Sequence, residues 1–412
     1  MSLAKVLIKA VLSVMLIAFS AAVHAITPEE AFAASGAVDA SKCAVMVVDL
    51  STGKVTNALN ERVPLVPASI NKAATIAALL KKSGIDYHYE TYVYAGGEIS
   101  DGVLEGDLLT IGSGDPSLGA EVEPKGSNII REITDALLDA GIDSIAGDVT
   151  VDKSIFPGPS TPPSWSSGDL SRAYGTGCHG FNYHRNASGS SSVANPSGVF
   201  ASELRNAITA AGIKIGNSRH TGSEKNNLLF KHVSPPIDEI MRSCMMRSDN
   251  LYAEAFLRTT ALLNGKEGST TAGAAIETEY WRKKHLPMSG VNIVDGSGLS
   301  RSNRMTAEFM AAVLKFMADD VDFASFFPLA GQEGTLRTFM KDTPLDSYLA
   351  LKTGSMNGIQ CYAGYKLDDD YAPTHVVVVM INGFKSSRDA VKKAVSNMLL
   401  QIFCPSEEVA EN

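Results

Sequence analysis

No pair of cysteines in this 412-residue chain has the spacing of a structural zinc site. Cys43, Cys178, Cys244, Cys361 and Cys404 are scattered, with no Cys-x-x-Cys. In an oxidising compartment the odd count leaves at least one thiol unpaired or pairing between chains. A chain this long builds a core without staples, so the cysteines read mostly as core residues. A basic excess is also missing: 36 Lys and Arg face 45 Asp and Glu, a formal charge of −9. That argues against nucleic acid or an anionic membrane surface as partner. Beyond the first 25 residues there is no run of about 20 apolar residues of the kind that crosses a bilayer. The acidic tail Cys404–Asn412 lacks the basic amphipathic pattern of a surface anchor. Internal repeats and long low-complexity runs are absent, and no cofactor or metal is implied.

The first 25 residues read as a leader. Lys5 and Lys9 form a basic region, Val11 to Ala22 an apolar one, and Val23-His24-Ala25 a small-x-small cleavage site. Export with cleavage before Ile26 is expected, leaving a protein with no stable membrane anchor. Loss of the two lysines, with no acid removed, takes the formal charge from −9 to −11.

Three short motifs then stand in order: Ser69-Ile-Asn-Lys72, Ser248-Asp-Asn250 and Lys352-Thr-Gly354. Together they supply a nucleophile, candidate bases and a cation for a carboxylate, the equipment of acyl transfer through a serine ester. Each motif has a decoy: Ser51-Thr-Gly-Lys54, Ser355-Met-Asn357 and Lys82-Ser-Gly84 respectively. Context separates them. Ser51 to Lys54 falls in a hairpin turn between strand-like runs 42–50 and 55–59. Lys82-Ser-Gly84 reads as a helix C-terminus. Ser355 to Asn357 lies at a hairpin just after the third motif.

Ser69 opens an apolar helical run, Ile70 to Leu80. Residues three apart share a helix face, so Lys72 is expected one turn from Ser69. A lysine in an apolar helix loses hydration, its pKa falls, and a neutral amine beside a hydroxyl accepts its proton. Ser248 falls at a junction between helices 238–246 and 251–263, where Ser, Asp and Asn also serve as caps. Lys352 ends a β-like run at a sheet rim. There it can present its ammonium to a carboxylate, with Thr353 adding a hydroxyl and Gly354 allowing close backbone approach. Strands are expected at 359–366 and 375–381, and a final helix at 386–403. The fold class is α+β, an antiparallel sheet flanked by helices. From about residue 89 to 230 the texture is β-rich with Gly-rich turns, an insertion between the first two motifs.

The motifs and their surroundings resemble the penicillin-binding proteins and serine β-lactamases. More narrowly, the chain is similar to the class C low-molecular-mass penicillin-binding proteins, D-alanyl-D-alanine carboxypeptidase/endopeptidases of peptidoglycan. The residues carrying that likeness are Gly106-Asp-Leu-Leu, Gly114-Asp-Pro-Ser-Leu118, Tyr174-Gly-Thr-Gly177, Ser234-Pro-Pro, Ser248-Asp-Asn-Leu-Tyr-Ala-Glu254, Asp295-Gly-Ser-Gly-Leu-Ser-Arg301, Gly334-Thr-Leu336 and Ala363-Gly-Tyr365. Ser355 departs from the Thr common after Lys-Thr-Gly. The resemblance implies a leader over 1–25, a penicillin-binding transpeptidase-like domain over 26–88 and 231–412, and an inserted region over 89–230. The 178 residues between Ser69 and Ser248 are few for the two inserted domains of larger members, so a reduced insertion is expected.

It further implies a periplasmic enzyme acting on stem peptides ending in D-Ala-D-Ala, with β-lactams as covalent inhibitors. Ser69 would attack, Lys72 take its proton, and Ser248 and Asn250 relay protons and hold substrate. Lys352 and Thr353 would bind the terminal carboxylate, with the oxyanion on the backbone N–H groups of Ser69 and Ser355. Asp152 would meet the ammonium of a stem-peptide diamino acid, or else be a surface acid at a strand end. A true β-lactamase and a non-catalytic cell-wall-binding protein are the alternatives. The first needs a water-activating base, for which no Glu motif stands out.

Overall fold

The computed structural model describes residues 26–125, 128–216, 225 and 227–405. The expected leader, residues 1–25, and the last residues of the acidic tail lie outside the described residues. Among the described residues no helix is long and apolar enough to cross a membrane.

After helix α1 (Pro28–Ser35), capped by Thr27 and Glu30, strands β1 (Cys43–Asp49) and β2 (Val55–Leu59) form a hairpin. Ser51 sits in its turn, bound to Asp49, which disposes of the first decoy. A single turn of 3-10 helix, Ala68–Ile70, leads into helix α2 (Asn71–Ser83). Every residue of α2 from Asn71 to Leu80 is buried, as its all-round apolar pattern requires.

The chain then leaves this region and returns. Strands β3 (Glu90–Ala95), β4 (Leu108–Ile111), β5 (Val149–Asp152) and β6 (Asn227–Val233) make a four-stranded sheet in the order β6-β3-β4-β5. Outgoing β3 and returning β6 pair antiparallel, so the insertion is tied at its two stems. Helices α3 (Ile129–Asp139) and α4 (Pro196–Ala210) close one apolar cluster with this sheet. One such cluster fits one compact unit. Between β5 and α4 the chain departs from it for a stretch: Phe156 and Cys178 belong to the main core.

Helices α5 (Ile237–Arg247), α6 (Asn250–Leu263), α7 (Thr270–Lys283) and α8 (Ala307–Met317) follow. Strands β7 (Leu349–Met356), β8 (Ile359–Leu367) and β9 (Pro373–Asn382) and helix α9 (Arg388–Phe403) complete the chain. The main sheet is antiparallel in the order β7-β8-β9-β1-β2. Its central strand β9 is buried on both faces. Val376, Val378 and Met380 join the core with α2, α5, α6 and α8; Val377, Val379 and Ile381 face α1 and α9. Two covered faces and a side-chain period of two explain the unbroken apolar run. The fold is α+β, with helices on both sides of an antiparallel sheet.

Candidate active site

The turn that carries Ser69 is pinned from two sides. Ala68 takes a left-handed φ of 48°, a strained conformation for a residue with a Cβ. On one side a Cβ at Gly354 would lie 2.7 Å from Pro67 O and 3.0 Å from Ser69 N. On the other, a Cβ at Gly298 would lie 1.9 Å from Ala68 O. Strand β7 and the polar loop 295–301 therefore clamp Ser69 at contact distance. Gly354→Val is expected to push β7 off this turn. Acylation by benzylpenicillin should slow about 10- to 100-fold with the thermal unfolding still cooperative. An unchanged acylation rate would mean the contact does not position Ser69.

Lys72 is wholly buried on α2, and its Nζ lies 3.0 Å from Ser69 Oγ, 2.7 Å from Asn250 Oδ1 and 2.6 Å from Ser297 O. An ammonium has three protons, and these are three acceptors. A neutral amine keeps two protons, for Asn250 and Ser297, and turns its lone pair to the Ser69 hydroxyl. Burial pushes the Lys72 pKa down, while Cys244, Asp295, Asp249 and Glu254 oppose that fall.

Asn250 is the first residue of α6. Its Nδ2 donates to Tyr174 O at 2.7 Å, which fixes Oδ1 on Lys72. The cap of α6 is Asp249, whose Oδ1 accepts from Tyr252 N and whose Oδ2 accepts from Arg185 Nε at 2.8 Å. Ser248 ends α5 in the left-handed region, φ 57°. The N-cap of α6 is thus Asp249, and the Ser248 hydroxyl is not used for it.

Lys352 lies, as expected, on the edge strand of the main sheet, but it is wholly buried there, and its Nζ donates to Ser248 Oγ at 2.9 Å and Thr353 O at 2.8 Å. Burial first, and the nearby Lys72 second, hold its pKa well below the usual lysine range. The strand position was legible, but what covers that position comes from α5, far away in sequence. Its amine therefore sits behind Ser248. Thr353 Oγ1 hydrogen-bonds Thr335 Oγ1 at 2.8 Å, and Ser355 Oγ donates to Gln360 Oε1 at 2.8 Å. Ser355 lies on β7, not beyond it in the turn.

Ser69, Ser248, Asn250 and Ser355 line one cleft of about 530 Å³, with Ser166, Asp169, Tyr174, Arg301, Met356 and Asn357 among its other walls. Neither lysine lines it. A larger cavity of about 630 Å³, between Asp319–Phe327 and Leu367–Pro373, contains none of the motif residues and lies away from this chemistry. Asp152 is not brought to the cleft either. It sits at the end of β5, accepts from Ser154 N at 2.9 Å and faces Lys225 at 3.7 Å. Among the described residues no group of three or more His, Cys, Asp or Glu is placed to hold a metal ion.

The loop 295–301 has a role that motif reading left unassigned. The buried Asp295 carboxylate accepts from Gly298 N, Ser300 N, Asn303 Nδ2 and Trp165 Nε1. This holds the Ser297 carbonyl on Lys72. Glu254, also buried, accepts from Ser297 N at 2.8 Å. Burial, with Asp295 second, raises its pKa. Behind it Glu277 accepts from Thr75 Oγ1 at 3.0 Å, and burial lifts it to about 8. A carboxyl raised in the fold above its ordinary 4.5 costs stability as pH climbs from about 4.5 to about 8, and the cost is constant above. Glu277→Gln should therefore melt several degrees higher than the native chain at pH 9, with the gap closing towards pH 5 in differential scanning calorimetry. A gap that widens on acidification would refute the sign.

The sequence pattern of the D-Ala-D-Ala carboxypeptidase 3 (S13) family matches residues 29–189 and 176–402. The chain belongs to this family. It is a serine-type D-Ala-D-Ala carboxypeptidase, a hydrolase of the penicillin-binding class. It is 28% identical over 351 residues to a carboxypeptidase of Mycobacterium tuberculosis, spanning 80% of this chain and 74% of that one. The crystal structure of penicillin binding protein 4 from Haemophilus influenzae superposes with a TM-score of 0.77. The match is at 21% identity over 88% of this chain and 96% of that one. A structure of that protein complexed with a β-lactam superposes at 0.69, again at 21% identity over 88% and 96%. The fold of this S13 member is thus that of a penicillin-binding protein along nearly all the described chain.

Proposed function

We propose that Ser69 is the nucleophile and neutral Lys72 its base, in a periplasmic enzyme that trims and uncrosslinks peptidoglycan stem peptides. The observation that carries the assignment is the 3.0 Å contact between Ser69 Oγ and Lys72 Nζ, with both other positions around Nζ held by Asn250 and Ser297. Ser69 Oγ attacks the carbonyl between two D-alanines as its proton passes to Lys72. The C–N bond breaks, and the leaving amine takes a proton from Ser248; the proton that Lys72 gained makes good that loss, so Lys72 is neutral again for the second step, while Lys352 holds the Ser248 hydroxyl in place. Water then hydrolyses the ester. The substrate carboxylate rests by Ser248 and Thr353, with the buried Lys352 ammonium behind them. The oxyanion is assigned to the backbone N–H groups of Ser69 and Ser355. Gly354 keeps those two donors close. The basic, then apolar, then small-x-small pattern over residues 1–25 supports export to the periplasm.

Asp152 contributes nothing to substrate binding in this reading, since Ser154 and Lys225 occupy it. A β-lactam enters as a carboxylate-bearing amide mimic and acylates Ser69. The test is D-alanine release from a pentapeptide, together with a benzylpenicillin adduct by intact mass. A purified, folded chain that yields neither would overturn the assignment.

A further inference from the structure

A second cavity of about 470 Å³ adjoins the catalytic one and shares Ser248, Asn250 and Tyr174 with it. Three of its walls are cationic: Arg172, Arg185 and Arg247. Arg185 is paired with Asp249, the one carboxylate among its lining residues. Arg172 and Arg247 are exposed, and neither carries an ion pair among the described residues. The cavity therefore has a surplus of two positive charges in a protein whose net charge is negative. Nothing in the fold requires this. Two unpaired guanidiniums in one concavity repel each other and suit planar carboxylates.

Its position fixes which part of a substrate it meets. Ser69, Ser355, Met356, Asn357 and Arg301 line only the first cavity, so the acyl portion lies there. The carboxylate beside the scissile bond sits by Ser248 and the Lys352 behind it. Whatever is attached beyond that carboxylate passes Ser248 on its other side, where Arg247 and Arg172 stand. Free D-alanine has nothing to place there. A leaving group that is itself a peptide, with further carboxylates, has. Of this wall, Arg172 comes from the segment between Phe156 and Cys178 that joins the main core, and Arg185 from just beyond it, next to Tyr183 of the inserted unit.

We propose that this arginine cavity binds the carboxylates of the leaving strand of a cross-linked substrate, making it the subsite for endopeptidase cleavage. The proposal rests on the functional reading above. The test compares native protein with Arg172→Gln and with Arg172→Gln/Arg247→Gln. Substrates are a cross-linked muropeptide dimer, the same dimer with its leaving-strand carboxylates amidated, and a monomeric pentapeptide. Acylation by benzylpenicillin reports whether Ser69 and Ser248 remain in place.

The expected result is a fall of about tenfold or more in kcat/KM for the dimer in the double variant, through KM, and a smaller fall in Arg172→Gln. The same fall should follow amidation with native protein. Pentapeptide cleavage and acylation should stay within about threefold. Native protein that cleaves pentapeptide but no dimer, or variants that cleave dimer normally, would overturn the subsite alone. Equal losses on dimer, pentapeptide and penicillin would assign the arginines to fold integrity and also overturn it. Native protein that is not acylated at all would overturn the functional reading, and the subsite with it.

Discussion

Ser69→Ala folds like the native chain, gains no benzylpenicillin adduct and releases D-alanine at least about 10³-fold more slowly. The side chain removed is small and partly exposed, in a turn held by Gly354 and Gly298 rather than by its own hydroxyl. Lys72 keeps two of its three acceptors, Asn250 and Ser297. The stability change should therefore stay near about 1 kcal/mol. Two other serines of the cleft already have partners. Ser248 Oγ faces Lys352, and Ser355 Oγ is spent on Gln360. Intact mass after incubation with benzylpenicillin reads the outcome directly. An adduct on the variant as fast as on the native chain would mean the nucleophile is elsewhere.

Lys72→Arg should be almost as damaging for a different reason. The substitution keeps a cation and hydrogen-bond donors next to Asn250 and Ser297, so a purely electrostatic role would survive it. A general-base role would not, because guanidinium does not give up its proton in proteins. Burial has already pushed the native lysine towards the neutral amine. Acylation by the variant should fall about 10²- to 10⁴-fold. The native rate should rise with pH along a limb that ends below the ordinary lysine value of about 10.4, and the variant's residual rate should lack that limb. A variant within about tenfold of native, with the limb intact, would remove Lys72 from the proton path. Differential scanning calorimetry separates this from misfolding, since the larger guanidinium enters a buried site.

Much of this was readable from the chain because the informative signals are local. The all-round apolar stretch after Ser69 could only be a buried helix, and the three-residue step to Lys72 sets a shared face. The Val and Met run of β9 could only be a strand covered on both sides. The decoy at Ser51 was dismissed by its turn residues, and it is a turn. Other features were not local. Lys352 stands on the edge strand as expected, but its burial was not legible, because its partner Ser248 lies about a hundred residues earlier. The loop from Asp295 gave no hint that its Ser297 carbonyl would be a ligand of Lys72, since that depends on Asp295 collecting donors from Trp165 and Asn303. Asp152 admitted two readings from sequence, a substrate anchor or a surface acid at a strand end, and it stands at the end of β5 beside Lys225.

By itself the sequence determined the family, the order of the motifs, the serine–lysine step on one helix and the presence of an insertion. Periodicity and short-range spacing are enough for these. Only the tertiary structure decided that Lys72 has three acceptors and that Lys352 works from behind Ser248. It alone placed Tyr174, from residues between the first two motifs, as a wall of the cleft, and Arg185 as a wall of the cavity beside it. The reason is physical. A buried ammonium takes its pKa and its direction from the groups that surround it, and those groups come from parts of the chain that only packing brings together.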